Sequence, residues 1–137
     1  MMGAFLWGKK ADTKLLKSDL TENQDSLLAE CVWQNGNKHR RSFCFNKADK
    51  LVIEDDMETT SDSYATIVLH PACQVKVENG KAVIQREDIT VCIEANVEPT
   101  IEKCWFSEEY GKENETHKLC YPLNDNKLKT TIWIEKY

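Results

Sequence analysis

The sequence predicts an all-β fold: a disulfide-stabilised antiparallel β-sandwich or barrel with a polar N-terminal arm. Three observations carry that reading. About nine short strand-forming segments recur at roughly ten-residue spacing, and two Asn-Gly pairs, Asn35-Gly36 and Asn79-Gly80, stand where tight hairpins need positive φ. No amphipathic helix of three turns follows residue 27. Six cysteines, Cys31, Cys44, Cys73, Cys92, Cys104 and Cys120, are spread through most of the chain, as in a small extracellular domain.

Length sets the domain count. The 137 residues fit a single domain, with 41% hydrophobic and 30% charged residues to make one modest core under a well-solvated surface. Residues 1–26 read as an arm. Its stretch ADTKLLKSDLTENQDS is polar except for Leu15, Leu16 and Leu20, a spacing that suits a short helix or an extended strap. Residues 27–137 read as the β-rich, cysteine-bearing domain.

Along that domain, LLAECVW (27–33) runs into Asn35-Gly36, and RSFCF (41–45) returns beside it. LVIE (51–54) precedes an acidic stretch read as a loop, residues 55–62. SYATIVL (63–69) ends at His70-Pro71, because proline cannot donate to a ladder. QVKVE (74–78), Asn79-Gly80 and KAVIQ (81–85) form the clearest hairpin. In DITVCIEA (88–95) the two-residue period puts Ile89, Val91, Ile93 and Ala95 on one face and Thr90, Cys92 and Glu94 on the other. Residues 100–106, 118–121 and 130–134 complete the set, with Trp105 and Trp133 expected in the core.

Two family patterns match in spacing only. Cys92 and Trp105 resemble the strand B cysteine and strand C tryptophan of immunoglobulin domains, but the later Tyr-x-Cys is missing. The stretch from Cys73 through Cys104-Trp105 to Cys120 loosely resembles zona-pellucida modules. It lacks their Ala-Thr-Pro after the tryptophan and their glycine before the last cysteine. Neither pattern assigns a family.

Cofactors are not expected. No two cysteines have C-x-x-C spacing and no histidines form an H-x₃₋₅-H pair, which argues against zinc and thiol redox chemistry and for disulfides. The acidic run Glu54-Asp55-Asp56-Met57-Glu58 lacks the alternating ligands and central glycine of an EF-hand loop. No G-x-S-x-G elbow or phosphate-cradling glycine loop is present, so the sequence alone points away from an enzyme.

The formal net charge of −5 argues against nucleic acid. No run approaches the ~20 apolar residues of a membrane span. The opening MMGAFLWGKK lacks the order of a secretory signal, so the chain reads as a mature domain behind an added methionine. The expected location is extracellular.

The leading functional expectation is a secreted, non-enzymatic recognition module that binds a protein through loops and strand edges. The alternatives are a small β-barrel carrier of an apolar ligand and an intracellular β-domain with free thiols. Candidate contacts are the basic run Lys38, His39, Arg40 and Arg41, read as an exposed hairpin tip suited to an anionic surface or glycan, and Trp7 in the apolar start of the arm. Asn114-Glu115-Thr116 is an N-glycosylation acceptor triplet, with Asn114 as the modified residue.

Overall fold

Eleven antiparallel strands make two sheets in the computed structural model, which describes residues 11–135. In chain order they are β1 (Asp12–Leu20), β2 (Gln24–Val32), β3 (Lys38–Asn46), β4 (Lys50–Glu58), β5 (Tyr64–Val68), β6 (Gln74–Glu78), β7 (Lys81–Arg86), β8 (Ile89–Ala95), β9 (Thr100–Phe106), β10 (Asn114–Pro122) and β11 (Lys127–Ile134). The eight-stranded sheet has the order β1-β2-β3-β4-β11-β8-β7-β6, and the three-stranded sheet the order β5-β10-β9. The last strand is the stitch. β11 pairs with β4 on one side and β8 on the other, joining two meanders made far apart in the chain.

The core lies between the small sheet and one end of the large one. Leu119 and Tyr121 of β10 are almost fully buried against Ala82, Ile84, Ile93 and Leu128 from β7, β8 and β11. The sandwich expectation is therefore met in architecture. Among the described residues no helix is long and apolar enough to cross a membrane.

Both Asn-Gly pairs sit in hairpin turns. Asn79 (φ 52°) and Gly80 (φ 76°) both take positive φ, as a two-residue type I′ turn requires. At the first turn the Gly36 amide donates to the Trp33 carbonyl at 3.0 Å and the Trp33 amide to the Asn37 carbonyl at 2.9 Å.

Several expectations are corrected. Residues 12–20 are not helical but form the edge strand β1, and the boundary at residue 27 falls inside β2. Adjacent Leu15 and Leu16 are reconciled with a strand by a bulge: Leu15 pairs with Ala29 and Lys17 with Leu28, so Leu16 is the extra residue. The acidic stretch is not a loop from residue 55, because β4 continues to Glu58. Trp105 is 67% exposed, since it stands on β9 at the edge of the small sheet. Trp133 is half-buried on the face away from the small sheet.

The disulfides are absent. All six cysteines are free thiols. Register gives the reason for the closest strands: Cys31 lies opposite His39 and Cys44 opposite Ser26, five positions along β2. At ~3.4 Å per residue that separation is roughly 17 Å, against the ~6 Å that a disulfide spans. Cys104 and Cys120, on β9 and β10, are separated in the same way, with Cys104 opposite Thr116 and Cys120 opposite Thr100.

Candidate functional site

The small sheet covers only part of the large one, and a cleft of about 280 Å³ opens where the cover ends. Trp33, His39, Arg41 and Asp55 line it from the large sheet, and Tyr64 from the start of β5. Strand alternation builds the charged wall. Arg41 of β3 is in register with Asp55 of β4, and His39 with Met57, so His39, Arg41 and Asp55 all point to the face shared with the small sheet.

Asp55 is the anchor. Its side chain is 3% exposed, and a single oxygen, Oδ1, accepts Arg41 Nε at 2.6 Å and meets His39 Nε2 at 2.7 Å. A buried carboxylate without such partners is strongly unfavourable. The pairing uses only one of Arg41's donor nitrogens, while 40% of its side chain remains exposed. Trp33 stacks beside the His39 ring, with centroids 6.5 Å apart and planes 13° apart. Tyr64 is 63% exposed on the opposite lip.

The basic run is thus not a hairpin tip. Residues 38–41 are the first four of β3, and the period of two sends them to opposite faces. Lys38 and Arg40 go outward, to Glu58 at 3.8 Å and Glu30 at 2.6 Å. The hydrogen bond from Arg40 holds the Glu30 carboxyl below its ordinary value, and the same bond raises the guanidinium of Arg40. His39 and Arg41 go inward to Asp55. Each of the four side chains meets a carboxylate from a neighbouring strand, so the run lies along the sheet with Arg40 and Arg41 still partly exposed.

Trp7 lies outside the described residues. Asn114 is exposed at the start of β10, but Thr116 of the same triplet is buried, and its hydroxyl donates to the Leu69 carbonyl at 2.6 Å. Sequence reasoning missed Trp33, Asp55 and Tyr64 as cleft residues. Asp55 was legible only as one carboxylate in an acidic run, and the strand register that aims it at Arg41 has no local signature.

The model of the heparinase II/III-like, C-terminal family matches residues 1–135. The chain belongs to that family. Solved structures agree on the fold: the heparan sulfate lyase HepC from Pedobacter heparinus superposes with a TM-score of 0.78 at 14% identity, over 91% of this chain and 22% of that one. A heparinase III gene product gives 0.74 at 19% identity, over 91% of this chain and 22% of that one. A further heparinase III gives 0.67 at 15%, over 89% and 21%. The chain therefore spans about a fifth of the length of these structures. The comparison with curated protein sequences finds no match. Family membership overturns the expectation of a non-enzymatic protein-binding module, which rested on cysteines taken as disulfides and a basic run taken as a hairpin tip.

Proposed function

We propose that this chain is the C-terminal β-sheet part of a glycosaminoglycan-lyase-related protein, and that its cleft engages the acidic polysaccharide. The family match across residues 1–135 carries the reading. The cleft chemistry supports it. Arg41 keeps donors beyond Nε for a carboxylate or sulfate, which guanidinium groups grip in a planar, bidentate manner. Trp33 and Tyr64 offer exposed rings with polar tips, suited to the apolar face and hydroxyls of a sugar. Asp55 fixes Arg41 and His39 in place, so binding costs little side-chain ordering.

Net charge weighs against distant steering. A domain at −5 repels a polyanion as a whole, so recognition falls to short-range contacts in the cleft. An extracellular or periplasmic location, where such a polymer is met, is part of the same proposal.

The test is titration of the purified chain with a heparan sulfate hexasaccharide and with neutral dextran of similar length. Saturable binding of the first alone, weakening as salt rises, supports the reading. Tyr64 is 63% exposed, so Tyr64→Ala is expected to weaken binding several-fold with little change in the melting temperature. Equal binding of both glycans, or of neither at low salt, overturns it.

A further inference from the structure

The opposite face of the large sheet carries a second arrangement, remote from the cleft in register and side. Trp133 of β11 stands there between Lys50, its register partner on β4, and Cys92, its partner on β8. The ammonium of Lys50 lies 5.1 Å from the Trp133 ring centroid, and that of Lys81, reaching across β8 from β7, lies 5.3 Å from it. Several other lysines pair with acids: Lys38, Lys47, Lys76, Lys103 and Lys112 each sit within 4.0 Å of a carboxylate. Among the described residues, Lys50 and Lys81 have no such ion pair, and both rest on one indole instead.

A depression of about 320 Å³, within the range of ligand pockets of roughly 300–1,000 Å³, is lined by Lys81 and by Cys92, the β8 partner of Trp133, though not by Trp133 or Lys50 themselves. Lys81 and Lys76 stand along it, Val83 and Cys92 line its apolar part, and Gln85 and Asn79 supply amides. Two carboxylates line it, Glu78 and Glu135, and of these only Glu78 has a lysine partner among the described residues. Glu78 is held by Lys76 at 2.9 Å, and Glu135 lies 4.0 Å from the Cys92 thiol. Glu94 stands opposite Lys81 in register. The thiol adds no negative charge, because burial, and then the charge of Glu135, push it above its ordinary value.

We propose that Trp133, Lys50 and Lys81 form a second subsite for an anionic sugar unit, bearing sulfate or carboxylate, on the outer face of the large sheet. This rests on the reading of the chain as a glycan-engaging domain. In the unliganded protein the two ammoniums are stored on the ring faces. A cation–π contact at an exposed site is weaker than a charge-assisted hydrogen bond to an anion. An arriving sulfate or carboxylate therefore draws the lysines off the indole and leaves the ring for the sugar's C–H face. Two subsites on opposite faces of one sheet would hold separate polysaccharide segments.

The experiment follows the indole N–H signals of the ¹⁵N-labelled chain during titration with a heparan sulfate tetrasaccharide. Trp33→Phe and Trp133→Phe assign the two signals. The expected result is a saturable shift of Trp133 that persists in the Tyr64→Ala cleft variant. In the double variant Lys50→Gln, Lys81→Gln the affinity read at Trp133 should fall about fivefold or more, with an unchanged melting temperature. If the double variant does not fold, the two single variants carry the test, each expected to show part of the loss. A shift at Trp33 with none at Trp133 overturns this inference and leaves the cleft reading standing, while no shift at either overturns both. An equal Trp133 shift from sodium sulfate at matched sulfate concentration also overturns it, because the site would then read charge without sugar.

Discussion

The two halves of the eight-stranded sheet obey the same alternation and meet different fates. In the half made of β6, β7, β8 and β11, the central inward residues are sealed: Ala82 is 0% exposed and Ile93 3%, packed with Leu119 and Tyr121 of the small sheet. In the half made of β1 to β4, the inward row continues through Phe43, Phe45 and Leu27, yet Phe45 stays 41% exposed and Leu27 36%. Alternation chooses which face a residue occupies. Burial depends on whether a second layer reaches it, and three strands do not span the width of eight. The open half protects itself by local means. Its edge strand β1 carries Lys14 and Lys17 and a bulge at Leu16, devices that discourage pairing with another edge.

The contrast is broken most directly by truncating one apolar residue in each half. Leu119→Ala empties a fully enclosed site and is expected to cost roughly 2–5 kcal/mol. Phe45→Ala, with a half-open ring, is expected to cost about 1 kcal/mol or less. Urea unfolding of both variants measures the difference, and equal losses would mean that the open half is covered in solution.

The boundary between the halves comes next. Arg41→Ala leaves the buried Asp55 carboxylate with His39 alone, and an expected loss of about 1–3 kcal/mol should appear in the same unfolding curves. Arg41→Lys restores the charge but not the guanidinium geometry, and should recover only part of it.

Tyr121 sharpens the picture inside the covered half. Its hydroxyl is buried without a hydrogen-bond partner, and burial pushes the phenol from 10.0 up to about 12. The unfolded chain therefore ionises first. The stability associated with Tyr121 is fully present below pH 10 and declines as pH rises to about 12. Tyr121→Phe should remove that alkaline decline and leave neutral stability equal or up to about 1 kcal/mol higher, as thermal melts across that range would show.

The smallest effect is kinetic. Under denaturing, non-reducing conditions all six thiols are expected to react with a thiol reagent. In the native protein Cys92, 2% exposed, should react more slowly than half-buried Cys31 and Cys44 of the open half. Uniform native rates would contradict the difference in cover.

Most strands were legible because their signals are local. QVKVE, Asn-Gly and KAVIQ state a hairpin within a dozen residues, and β9 was bounded correctly at residues 100–106. The N-terminal strand was not, because Leu15 and Leu16 break the period of two and only the partner strand reveals a bulge. The cleft was half legible. His39 and Arg41 stood out within a basic run, but their contact with Asp55 follows from pairing with a strand across a turn.

By itself, the sequence determined most strands after β1, the hairpin turns and the all-β class, since each depends on φ preferences and side-chain alternation over a few residues. Tertiary structure alone decided that the cysteines stay apart, that β11 joins two meanders, and that the basic run is neutralised strand by strand. Register and sheet order set those outcomes. They are fixed by contacts between residues distant in the chain, where a shift of one position exchanges the two faces.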